Sequence, residues 1–312
     1  MTERHHHEAF RLARKADVLG LRANLISAIR RFFDDHGFLE IDTPVRLPSP
    51  APEEHIEALP SGEWFLQTSP ELCMKRLLAA GYPNIYQICK CFRKDERGAL
   101  HLPEFTLLEW YVAGFDYLRL MDQCRHLIET VMAPFAPGRK LAWRQNAVDL
   151  SPPWKTMTVA DAFSNYAPLP LQEALQKELF DDILTEFVEP HLGLDRPVFL
   201  FDYPSELAAL ARIRPGRPPV AERFELYIGG MELANGFSEL TDAHEQRRRF
   251  EDALARRAEK GFSPYAMPEK FLDALPAMPD SAGVAVGVDR LVMLAAGADR
   301  IDEVVAFAPE DL

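Results

Sequence analysis

Two stretches of this 312-residue chain place carboxylates on apolar strands, where a cation would be the natural partner. In the first, residues 104–111 alternate as a β-strand does, and Glu109 falls on the face that also carries Phe105, Leu107 and Tyr111. A lone buried carboxylate is costly, so it needs a cationic partner or ligand. Glu109 therefore indicates either a ligand site or a structural ion pair with a nearby arginine, and the residues by themselves leave both open.

In the second stretch, residues 224–240 form a predicted hairpin around a two-glycine turn. Glu232 and Glu239 are seven residues apart, so an unbroken strand would place them on opposite faces. The intervening pair Asn235 and Gly236 favours a β-bulge, which would bring both carboxylates to one face. A magnesium ion, which binds one or two carboxylates together with phosphate oxygens, would satisfy that arrangement. The alternative is an ordinary strand with Glu239 in solvent.

Near the C-terminus, a strand of small residues at 283–287 leads into a helix that begins around Asp289 and Arg290. Gly287 would let a flat ligand approach the backbone closely. Arg290, at the junction of strand and helix, is placed to stack on an aromatic base or to pair with a phosphate. Neither a Walker phosphate loop nor a dinucleotide fingerprint occurs in the sequence, so a nucleotide site here would be of another kind.

Helices are needed to position these strands. Apolar residues at helical spacing predict a helix from about 17 to 36, which Gly37 would end as a left-handed cap. Ser69, Pro70 and Glu71 open a second helix with the residue types preferred at its first positions. Capping alone would account for Ser69 and Glu71.

Composition limits the classes of function. Hydrophobic residues make up 47% and charged residues 27% of the chain, as in a globular protein with a substantial core. A net charge of −13 repels nucleic acid unless a basic patch is segregated, and the basic run at 247–249 lies in a helix with acidic neighbours, which indicates a solvated face. The four cysteines lack zinc-site spacing and are interpreted as thiols in a reducing cytoplasm. No apolar run reaches the length of a membrane span, and His5–His7 is too short a run for a metal site.

Three separated segments resemble the signature motifs of class II aminoacyl-tRNA synthetases. Residues 37–44 (GFLEIDTP) resemble motif 1, residues 92–111, with FRKDE and HLPEFTLLEWY, resemble motif 2, and residues 283–290 (GVAVGVDR) resemble motif 3. Residues 68–72 and 232–240 narrow the likeness to the lysyl branch.

The resemblance implies an α+β fold, a class II synthetase catalytic core whose mainly antiparallel sheet is flanked by helices. A polar segment is expected at 1–16 and the catalytic domain at 17–312, with a helical insertion at about 133–195. Motif 1 begins within forty residues of the start, so no anticodon-binding OB domain is expected.

Without such a domain or a basic surface, tRNA is an unlikely acceptor. The chain resembles the truncated lysyl-tRNA synthetase paralogues that modify elongation factor P. These use ATP and Mg²⁺ to activate (R)-β-lysine, or lysine, as an adenylate, and then transfer it to a lysine side chain of the factor. The resemblance implies a homodimer formed through motif 1. The alternatives are a truncated synthetase that still charges a tRNA and a non-catalytic regulatory paralogue.

The resemblance also assigns roles to residues. Arg93, Arg290 and Glu239 are expected to be catalytic, and Glu232 and Glu239 to bind Mg²⁺. The expected ATP-binding residues are Arg93, Lys94, Asp95, Glu96, Leu102, Glu232, Leu233, Gly287 and Arg290. The residues expected to bind the amino acid are Ser69, Pro70, Glu71, Glu109, Tyr111, Asn235, Glu239 and Ala285.

Three departures from the family pattern bear on these roles. Asp95 stands where the family has Glu and is followed by Glu96, so either is a candidate for contacting adenine. Leu102 replaces an Asn and removes one ATP contact. Ala285 stands where lysyl-tRNA synthetases have Gly, as it does in the paralogues. Its methyl group would press on an α-amino group, so we expect β-lysine to be preferred over α-lysine.

Overall fold

A computed structural model describes residues 10–312, so the predicted polar start at 1–9, including His5–His7, lies outside the described residues. Residues 10–13 are helical, so the polar segment expected at 1–16 has helical structure before the first long helix begins. The longer helices are α1 (Ala16–Asp35), α2 (Glu71–Ala79), α3 (Tyr117–Met132), α4 (Val159–Tyr166), α5 (Leu171–Gln176), α6 (Phe180–Ile183), α7 (Ala243–Glu259), α8 (Glu269–Leu272) and α9 (Val288–Ala296).

The strands are β1 (Leu39–Glu40), β2 (Arg46–Leu47), β3 (Pro60–Ser61), β4 (Trp64–Leu66), β5 (Asn84–Phe92), β6 (Glu104–Ala113), β7 (Lys140–Trp143), β8 (Asn146–Asp149), β9 (Lys155–Thr158), β10 (Val198–Pro204), β11 (Ile213–Arg214), β12 (Val220–Ile228), β13 (Met231–Ser238) and β14 (Ser281–Gly287). Nine of them form one sheet in the order β1-β5-β6-β14-β13-β12-β10-β9, with β11 paired to β12. Only the outer pairs β1–β5 and β9–β10 are parallel. The predicted α+β fold with a mainly antiparallel sheet is confirmed.

The first helix forms where the apolar spacing predicts it. Leu25, Ile29 and Phe33 lie on its buried stripe and pack into the main core. The chain then leaves the helix at Gly37, whose φ of +72° is readily adopted only by a residue without a Cβ. The turn sends β1 to the edge of the sheet beside β5.

Because successive side chains of a strand point to opposite faces, one face of the sheet packs into the core and the other carries the candidate site residues. Leu108 and Trp110 of β6 belong to the core that α1, α3 and α9 cover. Glu109 and Tyr111 therefore point to the opposite face of the sheet, where Ala285 of β14 is the cross-strand neighbour of Glu109. The period-2 prediction for Glu109 is confirmed: the side chain is 3% exposed.

The segment predicted as an insertion begins with the hairpin β7–β8 and continues as helices α4 to α6, whose buried residues form a second core together with residues of β10 and β12. Its strand β9 extends the main sheet beyond β10. The expected helical character is therefore present, and the insertion also supplies an edge strand.

A β-bulge lies in β13, but not where the sequence places it. Tyr227 pairs with Glu232 and Leu226 pairs with Ala234, so the extra residue is Leu233. The prediction of a bulge at Asn235–Gly236 was wrong, because Gly236 is required for close packing: a Cβ there would lie 2.6 Å from the Phe224 ring. The bulge places Glu232 and Asn235 on one face, since they lie opposite Tyr227 and Glu225, which share a face of β12.

Among the helices of residues 10–312, none has the length and apolar character needed to cross a membrane.

Candidate active site

The exposed face of the central strands forms one wall of a cavity of about 850 Å³. The loop that contains Glu53 and helix α7 contribute to its other walls. Residues from two of the three motif-like segments, 92–111 and 283–290, meet here, whereas the segment 37–44 contributes none of the described residues on the wall. The predicted site residues that line it are Arg93, Glu96, Leu102, Glu232, Leu233, Asn235, Ala285, Gly287 and Arg290.

Arg93 and Arg290 come from distant parts of the chain and converge on this cavity. His101 lies beside them, and its Nε2 is 2.6 Å from Nη2 of Arg290. Burial lowers the pKa of His101 to about 4, and the charges of Arg290 and Arg93 add to the effect. A neutral His101 can accept an N–H from Arg290. His101 was missed at the sequence level, although it stands at the start of the HLPEF segment.

The Arg93 guanidinium lies 5.1 Å from the Phe105 ring centroid and 3.8 Å from Glu96. Its Nε is buried and has no hydrogen-bond partner among the described residues. Asp95 has a positive φ of 63° and its side chain is 87% exposed. Asp95 and Lys94 are not among the described residues on the cavity wall, whereas Glu96 is. Of the two candidates for contacting adenine, the structure favours Glu96.

Arg290 is held at the base of α9 by several contacts. Its Nη1 donates to the backbone O of Glu232 at 2.7 Å and lies 3.1 Å from the Glu232 carboxylate. The preceding residue, Asp289, accepts from Arg22 at 2.6 Å and from the backbone N–H of Thr106 at 2.6 Å. Helix α1, strand β6 and helix α9 are thereby tied together directly beneath the arginine.

Glu109 has hydroxyl partners instead of an arginine. Ser69 donates to one of its oxygens at 2.7 Å and Tyr111 to the other at 2.5 Å. The alternative of a structural ion pair with arginine was therefore wrong. Burial raises the pKa of Glu109 to about 7, and the nearby Glu71 carboxylate adds to the rise. Ser69 also accepts from the N–H of Glu71 at 3.0 Å, so it both caps α2 and orients Glu109.

A buried lysine lies beside two carboxylates of this region, those of Glu71 and Glu239. Lys75, 2% exposed, pairs with Glu71 one turn before it and lies 2.5 Å from the Glu239 carboxylate. Burial acts to lower the pKa of Lys75, but the carboxylates of Glu239 and Glu71 outweigh burial and raise it. Lys75 is therefore an ammonium. The i, i+4 spacing from Glu71 was the one signal in the sequence that could have found it.

Glu239 is fully buried and is not among the described residues on the cavity wall. Burial raises its pKa to about 8, against the opposing effect of Lys75. The alternative of a solvent-exposed Glu239 was wrong. Its ion pair with Lys75 also differs from the expected role as an Mg²⁺ ligand, since the cation beside it belongs to the protein.

A second acidic group on the wall was also missed. Glu225 accepts from Tyr227 at 2.6 Å and from Asn235 at 3.2 Å, and it pairs with Arg223 at 2.7 Å. Burial raises its pKa, and the negative charge of Glu232 contributes to the rise. No cluster of three or more His, Cys, Asp or Glu side chains suited to hold a metal is found in residues 10–312. Glu225 and Glu232 are thus a pair of carboxylates that would need further oxygen ligands.

The basic run of α7 is paired with acids. Arg247 lies against Glu269, while Arg248 and Arg249 both contact Glu245. The side chain of Arg248 is 63% exposed, as predicted for a solvated helix face, but the prediction was wrong for Arg249, which is 14% exposed and donates to the backbone O of Ala209 and of Ala211. Both arginines also line the cavity.

Comparison with known proteins identifies the class. The family described as tRNA synthetases class II (D, K and N) matches residues 2–311. The chain belongs to this family and forms a class II synthetase domain.

Within the family, the chain is similar to proteins named elongation factor P–(R)-β-lysine ligase. One from Edwardsiella ictaluri is 43% identical over 306 residues, which cover 92% of this chain and 93% of that protein. One from Vibrio atlanticus is 39% identical, covering 96% and 98%, and one from Vibrio parahaemolyticus is 42% identical, covering 93% and 95%. The chain belongs to the same family as these ligases.

Proposed function

We propose that this protein is an ATP-dependent ligase that activates (R)-β-lysine as an adenylate and transfers the acyl group to a lysine side chain of elongation factor P. One observation carries the proposal. A cavity with two converging arginines borders a buried cluster of three carboxylates, those of Glu71, Glu109 and Glu239, which lies behind Ala285 on the cavity wall. The names of the ligases to which the chain is similar support the choice of substrate and acceptor.

The arginines account for the activation step. Arg93 neutralises the α-phosphate and orients the carboxylate of the amino acid, which attacks phosphorus and releases pyrophosphate. Arg290 binds the far end of the triphosphate and the adenine, with Gly287 leaving room for the base. Glu96 is placed to contact adenine. The chemistry is positioning and charge neutralisation, so no nucleophile from the protein is required.

The buried carboxylates behind Ala285 account for the selection of a diamine. Three carboxylates and the Lys75 ammonium leave two negative charges uncompensated. A diamino acid brings two ammonium groups, which match that charge, whereas a monoamine would leave one carboxylate buried without a cation. Pro70, Tyr111 and Asn235 complete the pocket.

Mg²⁺ binding is assigned to Glu232 with Glu225. Both carboxylates line the cavity beside Arg290, and hard carboxylate oxygens completed by phosphate oxygens suit this ion. The role expected for Glu239 as a metal ligand passes to Glu225, because Glu239 is the counter-ion of Lys75. When bound, the ion neutralises charge on the phosphates, and Leu233 and Leu102 cover the nucleotide beside it.

A preference for β-lysine is assigned to Ala285. The residue is the cross-strand neighbour of both Glu109 and Asn235, so its methyl group stands between the two pocket walls. An α-amino group would meet this methyl, while the amino group of β-lysine is displaced by one carbon.

Two further properties belong to the proposal. The motif 1 strand β1 lies at the edge of the sheet, and Leu39 and Val45 expose 49% and 39% of their surface there, which supports a homodimer through this face. Light scattering should show a dimer for the wild type and a monomer for Leu39→Lys.

We place the reaction in the cytoplasm, where the ribosome uses elongation factor P.

Mass spectrometry tests the function. Elongation factor P incubated with the protein, ATP and (R)-β-lysine should gain the mass of one lysyl residue at a single lysine, and no gain should occur without ATP. Parallel incubation with tRNA-Lys should give no aminoacyl-tRNA. Robust charging of the tRNA together with an unmodified factor would overturn the proposal in favour of a truncated tRNA synthetase.

A further inference from the structure

The transfer step sets a requirement that the groups described above do not meet. The acceptor amine of a lysine has a pKa of about 10.4, so it is protonated at neutral pH and must lose a proton to attack the adenylate. A base for this step must lie within hydrogen-bond reach of the attacking nitrogen. This inference rests on the proposed function.

Most carboxylates on the cavity wall are already engaged. Glu96 pairs with Arg93, and Glu232 pairs with Arg290. Glu53 also lines the cavity, and its carboxylate has no hydrogen-bond or ion-pair partner among the described residues. It is therefore available to a ligand.

Glu53 also lies at the right point along the substrate. It lines the same cavity as Arg93, which is assigned to the α-phosphate, and as Ala285, the cross-strand neighbour of Glu109 among the amine-binding carboxylates. The acyl carbon of an adenylate joins the amine-bearing chain to that phosphate, so it must lie between these two groups. A carboxylate on the wall that Arg93 and Ala285 share is placed to reach that carbon.

The backbone around Glu53 is held in place. Arg257 of α7, which is 1% exposed, donates to the carbonyl oxygens of Glu53 at 2.7 Å and Ile56 at 2.5 Å. The N–H of Ala58 donates to the Tyr265 hydroxyl at 2.7 Å. The side chain of Glu53 thus projects from a loop that is fixed on both sides.

We propose that Glu53 is the catalytic base of the transfer step. The acceptor nitrogen attacks the acyl carbon and the new C–N amide bond forms. The bond from that carbon to the phosphate oxygen breaks, and AMP leaves with the electron pair. The acceptor ammonium gives one proton to the carboxylate of Glu53 before it attacks, and the second proton leaves the nitrogen to water as the amide forms.

The titration of Glu53 suits this role. Burial raises its pKa to about 7, the facing carboxylates of Glu71 and Glu96 act in the same direction, and Arg93 and Arg223 oppose them. A base whose pKa lies near the working pH combines a large ionised fraction with a useful proton affinity.

The test measures the two half-reactions, adenylate formation and acyl transfer, separately in the variant Glu53→Gln. Amino-acid-dependent ATP–pyrophosphate exchange should be retained, while single-turnover transfer from the adenylate to elongation factor P should slow about 10²- to 10⁴-fold. The rise of the wild-type transfer rate through about pH 7 should disappear in the variant. Hydroxylamine, an amine that is already deprotonated at neutral pH, should accept the acyl group equally well from both proteins.

Glu54→Gln is the matched control, since Glu54 is the neighbouring carboxylate on the same cavity wall but is already paired with Arg256 and Lys260. It should transfer at the wild-type rate. Transfer by Glu53→Gln at the wild-type rate, or an equal loss of exchange, hydroxylamine capture and transfer, would overturn the base role. Failure of the wild type itself to show exchange with a diamino acid would count against the proposed function instead.

Discussion

Replacing Lys75 with Met tests how the acidic pocket is held together. Methionine keeps the length of the side chain and removes its charge. The substitution leaves Glu239, which is fully buried, without the ammonium that lies 2.5 Å away, and Glu71 loses the same partner. Removing one partner of a buried ion pair costs about 3–5 kcal/mol, because the other charge stays buried and uncompensated. That is a large part of the 5–15 kcal/mol by which proteins of this kind are typically stable.

The loss of unfolding free energy in Lys75→Met should depend on pH, and the direction of that dependence follows from the pKa of the Glu239 carboxyl. Its pKa is raised to about 8 in the folded protein from an ordinary value of 4.5. The folded state therefore holds this proton more tightly than the unfolded state, and stability falls as pH rises from 4.5 to 8. Without Lys75 the pKa of Glu239 rises further. The variant should thus differ from wild type most at pH 9 and least at pH 6, where the carboxyl is protonated in both.

Urea unfolding at the two pH values measures this. At pH 9 the free energy of unfolding of Lys75→Met should be about 3–5 kcal/mol below that of wild type. At pH 6 the difference should be smaller by at least about 1.4 kcal/mol, the equivalent of one pH unit for one proton. The double variant Lys75→Met/Glu239→Gln, which removes the uncompensated charge, should recover stability at pH 9. A loss below about 1 kcal/mol at pH 9, or the same loss at both pH values, would refute the reasoning.

Three other predictions concern catalysis. Ala285→Gly should shift the ratio of adenylation rates toward α-lysine by about 5- to 150-fold, the equivalent of 1–3 kcal/mol, and an unchanged ratio would reject the role given to the methyl group. Gly283→Ala would put a Cβ 2.2 Å from the Tyr111 ring and 2.7 Å from Glu239, so the KM for the amino acid should rise about tenfold or more with little change in that for ATP. Because burial raises the pKa of Glu109 to about 7 and that of Glu239 to about 8, a diamine should bind better as these groups ionise. The KM for β-lysine should therefore fall between pH 6 and pH 8, and a flat profile would contradict the charge account.

Local patterns in the sequence were enough for much of the fold. The stripe on α1, the left-handed turn at Gly37 and the two-glycine hairpin each depend on neighbouring residues, and each is present. The burial of Glu109 also followed from alternation along β6, since a strand's two faces are set by the chain itself.

Features that depend on distant partners could not be predicted in the same way. In the sequence, Lys75 has the pattern of an ordinary helical residue, and only the fold brings Glu239 beside it. The bulge falls at Leu233 because β12 sets the register of β13, and that pairing is not encoded in either strand alone. The choice between Asp95 and Glu96 rests on one positive φ angle in a polar loop.

The central claim is that Arg93 and Arg290 act on one nucleotide while the buried carboxylates select a diamine. ATP–pyrophosphate exchange tests it most directly, with Arg247→Ala as control, because Arg247 lies on the outside of α7 against Glu269. Exchange by the wild type and the control should depend on β-lysine and should be far weaker with a monoamino acid. It should fall to background in both Arg93→Ala and Arg290→Ala. Exchange that persists in either arginine variant, or that is equally strong with a monoamino acid, would contradict the account.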